Sequence, residues 1–98
     1  MSPHTRLTFP SGWEGHPDYE RAKWCAALSD LVYDERSKRE WTEAEFAERA
    51  GVSLDYVEEL EGSAVYPDPD VLVMLATVFG GRVAVGGRDE PYSLAFVA

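Results

Sequence analysis

The side chains that could carry catalysis or hold a metal are scattered along this 98-residue chain. Its His and Cys residues are His4, His16 and Cys25, and their spacing lacks the close clustering of protein metal sites. The eighteen acidic residues form no recognisable catalytic pair, and nucleophile-elbow, C-x-x-C, P-loop and H-E-x-x-H motifs are missing. The sequence therefore predicts a protein that is not an enzyme and has no cofactor or metal site.

Basic side chains that could contact phosphate are few. Lys38 and Arg39 form the only adjacent basic pair and are the best candidates, together with Arg36 and Arg49. For two of these residues the alternative is a structural ion pair. Arg36 could pair with Glu61 or Glu40, and Arg49 with the carboxylate four residues earlier on the same helical face, Glu45.

Two short helices joined by a tight turn are predicted around these residues. Thr42 and Glu45 have the spacing of a capping box, Gly51 ends the first helix, and Ser53 caps the second. This pattern is typical of a helix-turn-helix. Three-residue steps predict one apolar face of the second helix, formed by Leu54, Val57 and Leu60. The expected core of the unit consists of Phe46, Val52, Val57 and Leu60.

Further helices are expected on both sides of this unit. Apolar residues at a 3.6-residue period predict a long first helix over residues 18–36, with Cys25 as a buried, unreactive thiol. After a loop, Asp68 and Pro69 are suited to start a helix that ends at Gly80. Its apolar arc is wider than one core-facing stripe requires, which predicts either burial on two sides or a dimer face.

The last residues change from a helical to an alternating pattern. Val83 and Val85 alternate with less apolar neighbours, as do Tyr92, Leu94 and Phe96, and a G-G-R-D-E-P segment lies between them. This predicts a β-hairpin. Because an isolated two-stranded hairpin is marginally stable, its apolar face must pack on the helices or on another chain. Tyr92, Leu94 and Phe96 are therefore candidates for a dimer or partner interface.

Residues 28–85 resemble the phage-repressor-like (Xre/Cro) helix-turn-helix family. Its members often contain T-Q-x-x-L-A-x-x-x-G-V-S-x-x-x-I-S-x-I-E followed by P-x-x-x-x-L-x-x-L-A-x-x-x-G. The matching residues here are Thr42, Phe46, Ala47, Gly51, Val52, Ser53, Val57, Leu60, Glu61, Pro67, Leu72, Leu75, Ala76 and Gly80, with Arg36 at the position of a first-helix arginine. In addition, P-D-Y-E-R-A-K-W before the unit resembles the leading helix of HigA-type antitoxins, whose C-terminal strand can mediate dimerisation.

The resemblance implies a DNA-binding transcriptional regulator, antitoxin-like and dimeric, whose recognition helices enter successive major grooves. The implied contact residues are Lys38, Arg39, Thr42, Glu43, Ser53, Leu54, Asp55, Tyr56, Glu58 and Glu59. Departures fall among them, since Glu43 and Glu58 stand where the family usually has Gln and Ser. Carboxylates are repelled by phosphate and contact bases mainly by accepting from the cytosine amino group.

The charge of the chain favours a second function for the same fold. The net charge is −9, and residues 36–62 alone carry eight acidic and four basic side chains. Nucleic-acid-binding proteins usually have a basic surface. The alternative is therefore an acidic interaction module that binds a basic protein patch as a toxin neutraliser, an adaptor or a DNA mimic, and does not bind DNA.

The expected architecture is mainly α, a bundle of four to five helices with a helix-turn-helix and a C-terminal β-hairpin. It divides into an irregular arm over residues 1–17, a helical domain over residues 18–80 and the hairpin over residues 81–98. The sequence has no apolar run long enough for a membrane span and no secretory leader pattern, so a cytoplasmic location is expected.

Overall fold

Four α-helices precede a two-stranded antiparallel sheet in the computed structural model, which describes residues 16, 18–87 and 91–98. The elements are α1 Tyr19–Lys38, α2 Glu43–Ala50, α3 Leu54–Glu61, α4 Pro69–Phe79, β1 Arg82–Val85 and β2 Leu94–Val97. The predicted mainly α fold with a C-terminal hairpin is thus confirmed. The predicted arm lies outside the described residues except for His16 and so is not tested, and none of the described helices has the length and apolar character of a membrane span.

The first helix buries one apolar stripe along its length. Leu28 and Val32 are fully buried, and Cys25 and Leu31 nearly so. The predicted burial of Cys25 is confirmed. Burial raises the pKa of its thiol, against a smaller opposite effect of Arg21, and so disfavours the reactive thiolate.

Helix α1 ends in a backbone motif that the sequence does not predict. Glu40 has a positive φ of 56° and its N–H donates to the Ser37 carbonyl at 3.0 Å. The Trp41 N–H donates to the Arg36 carbonyl at 3.1 Å, which completes a Schellman motif. Because glycine is usual at the left-handed position, Glu40 gives no local stop signal. The helix runs two residues past the predicted end at residue 36.

The helix-turn-helix has the caps that its sequence predicts. The Glu45 N–H donates to Thr42 Oγ1 at 3.1 Å, and the Thr42 N–H donates to Glu45 Oε1 at 3.2 Å. Gly51 ends α2 with a φ of 71°, and Ser53 Oγ accepts from the Tyr56 N–H at 3.1 Å. Both ends of α2 and the start of α3 are therefore set by residues within a few positions of them.

The core lies where α1, α2, α3 and α4 meet. Its buried members include Leu28, Leu31, Val32, Phe46, Ala47, Val57, Leu60, Val71, Leu75 and Phe79. Three of the four predicted core residues of the helix-turn-helix are fully buried, and Val52 is half-buried against them. The sequence predicted that Leu54 shares an apolar face with Val57 and Leu60, and this is wrong. Its side chain is 43% exposed, whereas the other two are buried. Each three-residue step turns a helix by about 300°, so Leu54 lies about 120° away from Leu60.

Helix α4 starts and ends as predicted and leads into the hairpin. Asp68 Oδ1 accepts from the Val71 N–H at 3.0 Å, and Gly80 ends the helix with a φ of 78°. The hairpin register pairs Val83 with Phe96 and Ala84 with Ala95. A Cβ at Gly81 would lie 2.5 Å from Cζ of Phe96, so only glycine allows β1 to leave α4 this close to β2.

Candidate functional site

The outward side of α3 is the largest part of the predicted contact set that remains accessible. We define the α3 face as the exposed residues Ser53, Leu54, Asp55, Glu58 and Glu59. The opposite side of the helix is held in place by the buried residues Val57 and Leu60. The α3 face is therefore a rigidly mounted, solvent-facing surface.

The charge of the α3 face is entirely negative. Asp55, Glu58 and Glu59 are exposed, and no cation among the described residues forms a salt bridge with any of them. Helix α3 has no Lys or Arg of its own. Three uncompensated carboxylates on one short helix attract a cationic ligand and repel a phosphate chain.

Tyr56 differs from the rest of the predicted contact set because its ring turns inward. It is half-buried, packs against the core, and lines a cleft between α3 and α4 together with Val52 and Val71. Burial raises the pKa of its hydroxyl, and the carboxylates of Asp68 and Glu59 add to the effect. Tyr56 therefore lies at the border of the α3 face, and its ring is a packing element.

Thr42 and Glu43, at the start of α2, also interact with other residues of their own chain. Thr42 contributes its Oγ1 to the capping box. Glu43 is half-buried, and its charge is one of the influences that raise the pKa of Arg36. Only the outer parts of these two side chains remain available to a partner.

Arg36 is not accessible to phosphate, because it is buried in a bidentate ion pair with Glu61. Its Nε lies 2.7 Å from Glu61 Oε2, and its Nη2 lies 2.8 Å from Glu61 Oε1. A third hydrogen bond from Nη1 reaches the Trp41 carbonyl at 2.8 Å. The hydrogen bonds to Glu61 are the main reason why the pKa of Arg36 is raised. The alternative of an Arg36–Glu61 pair is thus the arrangement found.

Arg39 is also occupied within the chain. Its Nη1 lies 3.0 Å from Glu35 Oε1, and its Nη2 donates to the Phe79 carbonyl at 3.0 Å. The guanidinium is 4.6 Å from the centroid of the Phe79 ring and 5.2 Å from that of Phe96. Arg39 therefore joins α1, α4 and β2. Three hydrogen bonds within the chain use Nη1 and Nη2, so its role as a phosphate contact stays a prediction that would rest on the remaining N–H donors.

Lys38 is the most accessible cation of the predicted set. Its side chain is 69% exposed, and Nζ lies 2.8 Å from Glu35 Oε2. Because Lys38 is exposed although the Glu35 carboxylate is buried, its ammonium group can also contact an anion of a partner. Arg49 pairs with neither Glu45 nor another described carboxylate, and its guanidinium lies 4.5 Å from the centroid of the Trp41 ring.

Glu35 is an important residue that the sequence analysis missed. Its buried carboxylate accepts from both Lys38 and Arg39. Burial by itself raises the pKa of Glu35, but the hydrogen bonds and charges of the two cations outweigh it and lower the pKa. Lys38 and Arg39 follow Glu35 by three and four residues. Ion pairs form at this spacing on one face of a helix, so the sequence contains a signal for this cluster.

The three predicted interface residues of the hairpin are half-buried against their own chain. Leu94 and Phe96 pack against the helical core, and the Tyr92 ring meets Trp24 edge-on, with centroids 5.6 Å apart. Of the two alternatives for the apolar face of the hairpin, packing on the helices is the one found. A dimer built on these three residues would have to displace those contacts.

Comparisons with known proteins add no family to these observations. A scan of protein-family models and searches of curated proteins and of solved structures found no match to the chain. Among the described residues, no group of three or more His, Cys, Asp or Glu side chains is arranged to hold a metal ion.

Proposed function

We propose that the protein is a small helix-turn-helix regulator that binds DNA through the α3 face. The observation that carries the proposal is the rigid mounting of α3, whose outward side chains no other part of the described chain covers. Its mechanism is non-catalytic. Helix α3 enters the major groove, where carboxylates accept from cytosine amino groups and Leu54 contacts thymine methyl groups.

The charges give this DNA binding a particular character. Lys38 is the exposed cation nearest to the start of the unit, whereas Arg36 and Arg39 are committed to Glu61 and Glu35. With few phosphate contacts, the affinity depends on base contacts and falls with salt less steeply than that of a basic repressor. Such a protein binds a matched operator and has little affinity for other DNA.

The same charges favour a second function, which is binding of a basic protein. Asp55, Glu58 and Glu59 form a negative surface, and none of the three forms a salt bridge with a cation in the described part of the chain. A partner with clustered Lys or Arg side chains would neutralise these carboxylates. In this case the α3 face acts as a neutralising or adaptor surface and DNA is not a ligand.

One titration separates the two functions. The double variant Glu58→Gln/Glu59→Gln removes two charges from the α3 face and keeps the side-chain size. The matched control, Asp18→Asn/Glu20→Gln, removes two exposed charges at the start of α1. Each protein is titrated against the DNA upstream of its own coding sequence and against a random DNA pool, at several salt concentrations. Each is also used to capture partners from cell extract.

DNA binding predicts that the α3 double variant binds the random DNA pool about tenfold or more tightly than the wild type, because a like-charge clash with phosphate is removed at every site. Its preference for the upstream DNA over the random pool should fall, because two carboxylates that can accept from cytosine amino groups are lost. The control variant should gain much less affinity for the random DNA pool. The second function predicts no DNA complex for any of the three proteins at low salt. It also predicts a basic partner that is retained by the wild type and the control and lost by the α3 double variant.

A further inference from the structure

Helix α4 exposes an uncharged strip on the side that faces away from the core. Val73 is 65% exposed, and Met74 and Val78 are half-buried beside it. Thr77 is exposed, but its hydroxyl donates to the Val73 carbonyl at 2.9 Å, so its polar hydrogen is already used. We call these four residues the α4 strip. In a chain with a net charge of −9, such a run without any ionisable side chain is unusual.

Two clefts lie on either side of Met74 along this strip. One has a volume of about 480 Å³ and lies towards α2, between Trp41, Arg49 and Val78. The other has a volume of about 450 Å³ and lies towards the start of α3, where Val52 and Asp70 line it. Met74 lines both clefts, so it marks the middle of the surface.

The two ends of the surface carry opposite charges. Arg49 is exposed at the cleft beside Val78, and Asp70 is exposed at the other cleft, about 12 Å away along α4. Neither residue forms a salt bridge with another described residue. Arg49 is held in place by the Trp41 ring. The surface is therefore apolar in the middle, positive at one end and negative at the other.

We propose that a second copy of this chain docks on the α4 strip in an antiparallel, two-fold symmetric arrangement centred near Met74. A two-fold axis at that point places Arg49 of each copy against Asp70 of the other. Val73 of each copy then faces the clefts beside Met74 of the other copy. A symmetric interface needs a surface that is complementary to itself, and opposite charges on both sides of an apolar centre meet that condition.

The net charge restricts a second copy to this part of the surface, while the self-complementary end charges identify the occupant. Two chains of charge −9 repel each other over most of their surfaces, so they can approach only where one of them offers no excess of carboxylates. The α4 strip with its two end charges is neutral overall. A strongly basic partner, in contrast, would be drawn to the α3 face and would be repelled by Arg49.

This inference does not depend on the ligand of the α3 face. It assigns the self-association to α4, whereas the hairpin residues that the sequence suggested are half-buried against the helices of their own chain. Dimerisation can therefore be tested by measuring the mass of the protein in solution, without DNA or a protein partner.

The first test is a charge exchange, read by sedimentation equilibrium over a concentration series at low salt. Wild type is expected to reach twice the 10.9 kDa of one chain. Arg49→Asp and Asp70→Arg each place like charges opposite each other twice, and each should raise the dimer dissociation constant by about tenfold or more. The combined variant Arg49→Asp/Asp70→Arg restores opposite charges and should return to within about threefold of wild type.

A second pair of variants keeps the test independent of the Trp41 contact. Val73→Asp adds a charge to the centre of the strip at a site exposed enough to leave the fold intact, and the variant should be monomeric. Its control, Val85→Asp, makes the same change at a 56% exposed valine of the hairpin and should remain dimeric. A wild type that stays monomeric at every concentration, or a dimer lost in Val85→Asp and kept in Val73→Asp, would overturn the proposal.

Discussion

Arg36 and Glu61 meet in parallel hydrogen bonds of 2.7 and 2.8 Å, and these bonds join the last turns of α1 and α3 inside the domain. The side chain of Arg36 is 1% exposed and that of Glu61 is 10% exposed. Ser29 adds a second link between these helices, because its Oγ donates to the Glu61 carbonyl at 2.7 Å. The ion pair, the Ser29 hydrogen bond and the buried side chains Val57 and Leu60 therefore together fix the position of α3 and of the α3 face.

Breaking the pair from either side should strongly destabilise the fold. Arg36→Met leaves the Glu61 carboxylate without its partner, and Glu61→Leu does the same to the guanidinium. Each should lower the free energy of unfolding by about 3–5 kcal/mol, because an uncompensated charge stays buried. The measurement is urea denaturation at neutral pH. The double variant should lose clearly less than the sum of the two, and additivity within about 0.5 kcal/mol would contradict the coupling.

The buried carboxylate of Glu35 should make the stability of the fold depend on pH in the acid range. Its folded pKa lies below the ordinary value of 4.5, so the folded state binds its proton less readily than the unfolded state. The stabilisation is complete above pH 4.5 and is lost as the pH falls through the lower, folded pKa.

Urea denaturation at a series of pH values from neutral down into the acid range tests this expectation. Glu35→Gln should be less stable than wild type at neutral pH and should show a shallower loss towards acid. Glu58→Gln, at an exposed carboxylate without a salt bridge among the described residues, is the control and should follow the wild-type profile. Parallel profiles for wild type and Glu35→Gln would show that the carboxylate has no shifted pKa.

Core truncation should distinguish the buried from the exposed side of the helix-turn-helix. Phe46→Ala and Leu60→Ala remove fully buried side chains and should each cost about 2–5 kcal/mol. Leu54→Ala, on the exposed side of α3, should cost less than about 0.5 kcal/mol. Thermal and urea unfolding measure both. A large loss for Leu54→Ala would mean that α3 is rotated relative to the arrangement described.

The left-handed residue at the end of α1 offers a stabilising substitution. Glu40→Gly removes the steric cost of a positive φ and should raise the free energy of unfolding by about 0.5–1 kcal/mol. Glu40→Ala removes the same charge but keeps a Cβ, so it isolates the backbone effect. If both variants are equally stable, the gain comes from the charge, and the strain is not relieved by glycine.

Local interactions explain why much of the fold could be predicted from the sequence. The capping box of Thr42 and Glu45, the turn at Gly51 and the cap of Asp68 each involve residues at most a few positions apart. Such signals are complete within a short segment, so their outcome does not depend on the rest of the chain. Glu40 and Ser63 are exceptions, because both have a positive φ at a position where the sequence offers no glycine.

The use of the charged and apolar surfaces was decided by tertiary contacts. Arg39 cannot be recognised from its neighbours as an internal link, because one of its partners is the carbonyl of Phe79, forty residues further along the chain. The alternatives for Arg36 and for the hairpin were open for the same reason. Packing brought Glu61 to Arg36 and placed Phe96 beside Phe79, with ring centroids 5.9 Å apart. The sequence by itself determined the helix ends that carry local caps, and only the packed structure determined which charges were neutralised inside and which were left to face a partner.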